Sequence, residues 1–450
     1  MTRLLIDSCE VVVTMDDRGS EIIGGSILIE EGAIAWVGTG DPPEEPDAVV
    51  SGRGSVAIPG LVNTHHHLYQ TLTRVRAQDQ GLFGWLSELY PVWAGVDDEW
   101  VRAAAGVGLS ELALSGCATT TDHHYVFPPG RDGLLEAEIE VAARIGIRFH
   151  PCRGSMDLGA SAGGLPPDSV VQDADTILDH TQQAVRRHHD PSSGSMLRIA
   201  VAPCSPFSVS EQLMRDSADL ARALGVRLHT HIAETLDEEV FCRERFGMRP
   251  LELLDDLGWL GPDVWLAHCV HLSDEDIKRV AGTGTGVAWC PTSNLRLGSG
   301  IARARDLLDQ RATLGLGVDG SASNDSGNML AEVRQAMLVC RAGGDPAAMD
   351  AREALRVATR GGADCLGRDD IGSIQRGKRA DIALFAVDDL HHTGAEADPV
   401  AAVVHCSPGR ARQLFVEGRP VVRDGRLVNV DEEALAAEGR RVARRIAGSR

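Results

Sequence analysis

Side chains of the types that bind metal ions stand at the ends of four separate apolar, strand-like runs in this sequence. The first run, Ser55 to Val62, leads into the stretch Pro59-Gly60-Leu61-Val62-Asn63-Thr64-His65-His66-His67. Because residues two apart on a strand point to the same side, His65 and His67 would form half of a metal site. The residues of these types at or just beyond the other three strand ends are His231, Glu234, His268 and Asp319.

The ligand set expected from these residues has three nitrogens and one oxygen. His65, His67 and His231 would supply the nitrogens and Asp319 the oxygen, which leaves a position for water on Zn²⁺ or a similar ion. Such an ion lowers the pKa of a bound water towards neutrality, so hydroxide becomes available at neutral pH. His229 shares a strand face with His231 and is the alternative ligand.

Two residues near these ligands are candidates for moving protons. Glu234, three residues beyond His231, would take a proton from the water and deliver it to the substrate. His268 would hold the hydroxide or polarise the substrate. His123 and His124 follow another strand-like run, and they would either line the pocket or pack in the core.

Eight strand-like runs alternate with helix-length stretches and would position these residues. The runs are Ser55 to Val62, Cys117 to Thr121, Ile147 to Pro151, Leu197 to Ala202, Val226 to His231, Val264 to His268, Gly286 to Cys290 and Leu314 to Val318. Eight strand-helix units are the number in a (β/α)₈ barrel, whose chemistry lies at the C-terminal ends of the strands. We therefore predict an α/β fold with a TIM-type (β/α)₈ barrel over residues 56–369.

Both ends of the chain have the composition of short β-strands. Val11 to Thr14 and Ser26 to Ile29 precede the barrel, and Ile382 to Phe385, Val400 to His405 and Gln413 to Val416 follow it. Each end is small for independent stability, so residues 1–55 and 370–430 are predicted to pack together as a composite β-sandwich. Residues 431–450 are predicted to form a C-terminal helix.

Composition restricts the partners and the compartment. The 450-residue chain has a net charge of −21, which argues against nucleic acid and anionic membranes as partners and favours a small-molecule substrate. The ten cysteines form no C-x-x-C pair, as expected in a reducing compartment. We find no charged-then-apolar leader and no apolar run long enough to span a membrane, and we expect a cytoplasmic protein.

Two motif matches to other enzyme classes lack the structural context that those classes need. Gly315-x-Gly317-x-x-Gly320 lies in a predicted strand and opens no helix, unlike a dinucleotide-binding fingerprint. Gly159-x-Ser161-x-Gly163 is followed by Gly164-Leu165-Pro166-Pro167 instead of the helix of a nucleophile elbow. The H-x-E…P-C-x-x-C signature of cytidine-type zinc deaminases is absent. A metal-dependent binding protein without activity is the non-enzymatic alternative. Such a protein would be expected to lack one of the catalytic residues, whereas all of them are present in this sequence.

The combined motifs resemble the amidohydrolase superfamily. The shared pattern is Pro-Gly-x-x-x-x-His-x-His, His-x-x-Glu, a histidine on the sixth strand and an aspartate on the eighth, as in cytosine, guanine and S-adenosylhomocysteine deaminases and the triazine hydrolases. More narrowly, five stretches are similar to those of 8-oxoguanine deaminases and their triazine-hydrolase relatives. They are His67-Leu68-Tyr69-Gln70, Arg153-Gly154-Ser155-Met156, Gly163-Gly164-Leu165-Pro166-Pro167-Asp168-Ser169, Ala202-Pro203-Cys204-Ser205-Pro206 and Asp319-Gly320-Ser321-Ala322-Ser323-Asn324-Asp325. The resemblance covers essentially the whole chain and implies a deformed barrel with a composite sandwich.

The resemblance also implies a reaction. It is the metal-dependent hydrolytic deamination of an aminated N-heterocycle, 8-oxoguanine or a related purine, with release of ammonia. Water activated by the metal would attack the ring carbon that bears the amino group, Glu234 would protonate the adjacent ring nitrogen, and Asp319 would help pass a proton to the departing ammonia. The alternatives are an s-triazine amino- or chlorohydrolase and a pterin- or cytosine-type deaminase.

Substrate contacts are implied at the pocket. The corresponding family stretches suggest Gln70 and Arg153 as contacts, and His123 is the candidate lining residue noted above. Trp289 ends the seventh strand, where 8-oxoguanine enzymes are expected to have histidine, and it is a further candidate contact.

The lysine count indicates one metal ion. Binuclear relatives bridge two metals with a carboxylated lysine on the fourth strand, but the only lysines here are Lys278 and Lys378. We therefore expect one divalent ion, zinc, with Fe²⁺ as the alternative. The resemblance further implies a homo-oligomer, a dimer or larger.

Overall fold

Eight parallel strands close into a barrel in the computed structural model, which describes residues 3–131, 133–406 and 409–448. The strands follow one another around the barrel in chain order, and the eighth pairs with the first through Leu316 and Asn63. They are Leu61–Asn63, Cys117–His124, Arg148–Ser155, Ala200–Pro203, Leu228–Ile232, Val264–His268, Gly286–Trp289 and Thr313–Leu316. The predicted α/β barrel is therefore confirmed.

The two faces of the barrel strands belong to different apolar clusters. Cys152, Ala202 and Ala288 lie in a small interior cluster that also contains Trp265. The outer faces pack against the surrounding helices in a much larger cluster, which includes Phe149 and Val287. Because side chains alternate along a strand, a shift of one position moves a residue from one cluster to the other.

Helices surround the barrel and extend beyond it. Their bounds are Leu82–Trp93, Asp98–Leu114, Leu134–Ile145, Ala174–His188, Glu211–Leu224, Leu236–Phe246, Pro250–Asp256, Asp274–Thr283, Pro291–Arg296, Ala304–Asp309, Met329–Arg341, Ala351–Arg356, Gly362–Cys365, Pro399–His405 and Glu432–Gly448. Several begin at a residue whose side chain accepts a backbone N–H of the first turn, as Asp97 does from Trp100 and Ser210 from Leu213. Among the described residues, no helix is both long and apolar enough to cross a bilayer.

Segments from both ends of the chain form two sheets beside the barrel. In spatial order, the seven-stranded sheet contains Arg426–Leu427, Arg419–Arg423, Gln413–Val416, Ile382–Ala386, Ser55–Pro59, Val11–Val13 and Glu21–Ile23. The four-stranded sheet contains Ala33–Gly38, Ser26–Glu30, Arg3–Asp7 and Ala48–Ser51. An apolar cluster that includes Ile6, Ile27, Val12 and Ile382 draws residues from both sheets.

The predicted opening strand, Ser55 to Val62, is two strands with different partners. Ser55–Pro59 pairs with Ile382–Ala386 in the seven-stranded sheet, whereas Leu61–Asn63 begins the barrel. Gly60 separates them, and a Cβ at this position would collide with the side chain of Ala118. The apolar run alone did not reveal this change of sheet, since both strands are fully buried.

The predicted strand Val400 to His405 is wrong, because this segment forms helix Pro399–His405. Asp398 accepts the backbone N–H of Ala401 at 3.0 Å, and Pro399 occupies the first turn. An N-cap followed by proline initiates a helix, and here it overrides the strand propensity of the three valines.

A buried ionic cluster joins the third barrel strand to the β-rich ends. Arg148, at the start of that strand, makes two 2.9 Å bonds to Asp381 and one of 2.8 Å to Glu417. Its guanidinium also donates to the carbonyls of Gly194 and Ser195, each at 2.7 Å. Full hydrogen bonding of this kind is what makes a buried charge tolerable.

Candidate active site

Four strand-end side chains converge at the C-terminal end of the barrel. The Nε2 atoms of His65 and His67 lie 3.4 Å and 3.3 Å from Asp319 Oδ1. His231 places its Nε2 3.1 Å from that of His67. The expected ligand residues from the first, fifth and eighth strands therefore meet at one point, within the span that a single ion occupies.

The hydrogen bonds of His67 and His231 leave two lone pairs facing each other. Nδ1 of His67 lies 2.8 Å from the carbonyl of His123, and Nδ1 of His231 lies 2.7 Å from that of Cys204. A carbonyl only accepts, so each Nδ1 carries the proton and each Nε2 is unprotonated in the neutral ring. Burial keeps both rings neutral, because it lowers the pKa of His67 to about 3 and that of His231 well below its usual value.

Two nitrogen lone pairs 3.1 Å apart repel each other unless a cation lies between them. Asp319 adds a carboxylate oxygen at the same point, since its Oδ1 lies 3.4 Å from Nε2 of His65 and 3.3 Å from Nε2 of His67. Neutral imidazole and carboxylate are the ligands that a divalent transition metal prefers. The residues present therefore fit a divalent metal site.

Asp319 is held by groups that leave one oxygen directed at the histidines. Ser293 and Ser323 donate to Oδ2 at 2.6 Å and 3.1 Å. The backbone N–H of Gly320 donates to Oδ1 at 2.6 Å, and that oxygen is also the one near His65. Partners that orient a ligating carboxylate in this way are a common feature of metal sites.

Glu234 and His268 form a pair beside the four converging residues. Oε2 of Glu234 lies 3.4 Å from Nε2 of His268, and Oε1 accepts from Ser299 at 3.2 Å. The amide of Asn294 donates to Nδ1 of His268 at 3.0 Å, so the proton of that ring is on Nε2 and faces the carboxylate. Burial, and then the charge of Asp319, raise the pKa of Glu234 well above its usual value. A carboxyl group with a raised pKa is suited to accept and return a proton.

Several residues of this site have left-handed backbone conformations without being glycine. Their φ angles are 52° for Ala233, 72° for His268, 52° for Cys269 and 63° for Asp319. Each such residue costs about 1–3 kcal/mol, and such strain concentrates at functional sites. Two of these four residues, His268 and Asp319, are site residues expected from the sequence.

A cleft opens over three of the four converging residues, His67, His231 and Asp319. Helix Leu82–Trp93 forms one wall with Leu82, Trp85, Leu86 and Tyr90, and Phe207 and Leu297 extend this apolar surface. Sequence reasoning missed these residues, because their i, i+3, i+4 and i+8 spacing is also that of an ordinary core-facing helix. Tyr125 and Ser323, which also line the cleft, were missed as well.

Gln70 lies in the wall of this cleft. Its Nε2 is 3.4 Å from the hydroxyl of Tyr69, whereas its buried Oε1 has no hydrogen-bond partner among the described residues. An unsatisfied buried carbonyl next to a cleft is a ready acceptor for a ligand N–H. This geometry supports the substrate contact that the resemblance implied.

Arg153 and Trp289 are not among the described residues that line the cleft. Arg153 donates to Gln172 at 2.8 Å, and its guanidinium lies 3.9 Å from the ring centroid of Phe127. Trp289 belongs to the outer cluster, whereas the preceding Ala288 faces the barrel interior. Both side chains therefore lie on the outer face of their strands, and the structure does not bring them to the cleft in which a substrate would be contacted.

The other candidate histidines have different surroundings. Nε2 of His123 donates to Ala202 at 2.8 Å, and the ring stacks on His231 with centroids 4.8 Å apart, so His123 packs behind a ligand candidate and not in the cleft wall. His124 lies 2.8 Å from Glu138, on the far side of the second strand. His229 bonds to His65 at 2.8 Å and to the carbonyl of Trp265.

Comparison with known proteins identifies the family of this chain. Residues 56–421 match the model of the Amidohydrolase family. The chain belongs to the amidohydrolase family. The fold, the family and a hydrolase activity on C–N bonds, all expected from the sequence, are thereby confirmed.

Individual members of the amidohydrolase family are similar over nearly the full length of the chain. The 8-oxoguanine deaminase of Pseudomonas aeruginosa is 47% identical over 93% of this chain and 94% of its own length. The hydroxydechloroatrazine ethylaminohydrolase of Pseudomonas sp. (strain ADP) is 36% identical over 99% and 96%. A solved structure of the atrazine chlorohydrolase of Arthrobacter aurescens TC1 complexed with zinc has a TM-score of 0.94 and 36% identity, and the match covers 98% of this chain and 100% of that one.

Proposed function

We propose that this amidohydrolase catalyses the hydrolytic deamination of 8-oxoguanine or a closely related purine, with release of ammonia and with one zinc ion in its site. The observation that carries the proposal is the convergence of His65, His67, His231 and Asp319 beneath a cleft that also exposes Glu234. The 47% identical relative named an 8-oxoguanine deaminase supports this choice of substrate.

The four proposed ligands are His65, His67, His231 and Asp319. A zinc ion held by them would lower the pKa of a water molecule towards neutrality and so supply the nucleophile for hydrolysis. Zinc is favoured over Fe²⁺ because solved relatives are described with bound zinc. Among the described residues of the fourth strand, Ala200–Pro203, none is a lysine that could bridge a second ion.

Glu234 and His268 carry the proton transfers in this proposal. Oε2 of Glu234 takes a proton from the attacking water and gives it to the ring nitrogen beside the carbon that bears the amino group. Nε2–H of His268, 3.4 Å from that carboxylate, donates to the oxygen that becomes bonded to the ring. Asp319 takes the remaining proton of the added hydroxyl and passes it to the amino group, which leaves as ammonia while the ring carbonyl forms.

The cleft wall supports a flat heterocycle as the substrate. Trp85, Leu86 and Phe207 supply apolar surface for the ring faces, while the Oε1 of Gln70 accepts from a ring or exocyclic N–H. A free base presents such donors along its edge and needs no large polar pocket.

Hydrolysis of an s-triazine is the second candidate. Triazine hydrolases are similar to this chain over 98% of its length with TM-scores of 0.94 to 0.95, and the ethylaminohydrolase is 36% identical. A pterin is a further candidate, since a relative named isoxanthopterin deaminase is 35% identical over 96% of the chain. Cytosine is the remaining alternative from the sequence. All of these reactions would use the same proposed ligands and the same Glu234.

The decisive experiment measures ammonia release from 8-oxoguanine, guanine, isoguanine, cytosine, pterins and aminotriazines, with alkylamine and chloride release measured for substituted triazines. We expect the highest kcat/KM with 8-oxoguanine or another purine. Exhaustive chelation should abolish the activity, zinc should restore it, and serine-directed reagents should leave it unchanged. Activity that survives complete metal removal would refute the mechanism, and a triazine preference would favour the second candidate.

Two further expectations accompany this proposal. We propose that the protein acts in the cytoplasm and that it assembles as a homo-oligomer, a dimer or larger. Cell fractionation and light scattering of the purified protein test them. The sandwich boundaries at residues 1–55 and 370–430, the barrel at 56–369 and the helix at 431–450 stay predictions that limited proteolysis can test.

A further inference from the structure

We infer that His229 is a positioning residue that fixes the tautomer of His65 and thereby directs the Nε2 lone pair of His65 at the metal. The inference rests on the proposed ligand set, in which His65 is a ligand and His229 is not. His229 and His65 are both fully buried, and their rings are 5.0 Å apart between centroids.

A series of hydrogen bonds sets the position of each proton. Nδ1 of His229 lies 2.8 Å from the carbonyl of Trp265, which only accepts, so this nitrogen carries the proton. Nε2 of His229 is then an acceptor, and Nδ1 of His65 lies 2.8 Å from it. The proton of His65 is therefore on Nδ1. Its Nε2 is left with a lone pair and has no hydrogen-bond partner among the described residues.

His229 prevents a competing tautomer of His65. If the proton of His65 were on Nε2, it would point at Asp319 Oδ1, which is 3.4 Å away, and this contact would be attractive. The ring would then have no lone pair for a cation. By accepting the Nδ1 proton, His229 stabilises the tautomer that can bind metal. Histidine ligands commonly donate their second nitrogen to a carboxylate, a backbone carbonyl or water, and here a second imidazole accepts that proton.

Trp265 keeps the ring of His229 in place. The indole stacks on the imidazole with centroids 4.4 Å apart and an interplanar angle of 15°. The indole N–H donates to the carbonyl of Thr64 at 3.0 Å, one residue before His65. These contacts connect Thr64 to Trp265, Trp265 to His229 and His229 to His65. Together they fix the orientation of the His229 ring.

The chain offers a matched control for substitutions of His229. His150 is also a buried histidine of the barrel, and its ring lies 5.9 Å from that of Trp265. Neither of its nitrogens has a hydrogen-bond partner among the described residues, so it does not orient a proposed ligand. His150→Leu therefore reproduces the burial change of His229→Leu without removing an acceptor from His65.

The test measures the affinity of each metal-free variant for Zn²⁺ alone, by competition with a chromophoric chelator, together with thermal unfolding of the metal-free proteins. We expect His229→Leu to weaken Zn²⁺ binding by about 10- to 100-fold, the range found for partners of metal ligands. His229→Gln, whose amide can accept from His65 and donate to Trp265, should lose less than about tenfold. His150→Leu should bind Zn²⁺ like the parent. If His229→Leu does not fold, His229→Asn, whose amide is too short to reach His65, replaces it.

Three results would overturn the inference. They are parental affinity in His229→Leu, an equal loss in His150→Leu, and a loss in His229→Gln as large as in His229→Leu, which would show that an acceptor for the Nδ1 proton of His65 is not what Zn²⁺ binding needs. Because no substrate is used, a failed ammonia assay would not affect the outcome. An error in the proposed ligand set would appear separately, as parental Zn²⁺ affinity in His65→Leu.

Discussion

Replacing Glu234 by glutamine separates proton transfer from metal binding in this site. The amide keeps the shape of the side chain and can still accept from Ser299, which is now 3.2 Å from Oε1. It cannot take a proton from water. The change also replaces the carboxylate next to Nε2–H of His268 by an amide. The distance from Oε2 of Glu234 to that nitrogen is long at 3.4 Å, so little hydrogen-bond energy is lost.

The expected size of the effect follows from what could replace the lost carboxylate. General acid-base groups contribute about 10²- to 10⁴-fold to the rate. The other carboxylate of the site, Asp319, is held by Ser293, Ser323 and Gly320 and cannot swing to take over. We therefore expect kcat to fall about 10³-fold, which corresponds to about 4 kcal/mol of transition-state stabilisation. Metal content should be unchanged.

The assay pairs kcat and KM for ammonia release with metal analysis of the same preparation. Glu238→Gln is the matched control, because Glu238 is equally buried but only accepts the backbone N–H groups of Ala233 and Glu234, each at 2.9 Å. It should lower kcat by less than about tenfold. The reasoning fails if Glu234→Gln keeps kcat within about threefold of the parent, loses its metal, or falls no further than Glu238→Gln.

Two predictions concern stability. Arg148→Met should lower the free energy of unfolding in urea by about 3–5 kcal/mol, because it leaves the buried carboxylate of Asp381 without a cation, whereas Glu417 keeps its ion pair with Arg379; an effect no larger than that of Arg215→Met, in an exposed pair, would contradict this. Burial raises the pKa of Glu138 to about 8, so the folded protein holds a proton that the unfolded chain releases near pH 4.5. The contribution of Glu138 to the stability of the folded protein is therefore full below about pH 4.5, and it is lost as the pH rises to about 8. Glu138→Gln should flatten this part of the stability curve, and an unchanged slope would exclude the effect.

The metal-binding candidates could be predicted from the sequence because the barrel fold restricts where such residues are useful. His65, His67 and Asp319 each follow an apolar run, and the C-terminal ends of parallel strands meet at one end of a barrel. The residue types then identify a ligand set before any distance is known. In the sequence, only the spacing to Glu234 favoured His231 over His229, because both lie on one strand face. The partner that each ring nitrogen meets is visible only in the structure.

Sequence motifs could not show that Arg153 and Trp289 lie outside the lining of the cleft. Each lies one position beyond a residue of the interior cluster, Cys152 and Ala288, and therefore on the opposite strand face. Family motifs align positions along the chain but do not say on which face of a strand a side chain lies. The helix Leu82–Trp93 was missed because nothing in an apolar helical stripe distinguishes a wall of a cleft from a core contact.

The glycine pattern that imitates a dinucleotide-binding motif has a structural cause in the closure of the barrel. The eighth strand lies beside the first, so its glycines face residues 64–70. A Cβ on Gly315 would lie 2.8 Å from the side chain of Thr64, and one on Gly317 would lie 2.6 Å from Cβ of His65. A Cβ on Gly320 would collide with Oε1 of Gln70. Each glycine therefore makes room for the segment that carries the first two proposed ligands and the proposed substrate contact, and the spacing that suggested a phosphate loop reflects the close approach of these two strands.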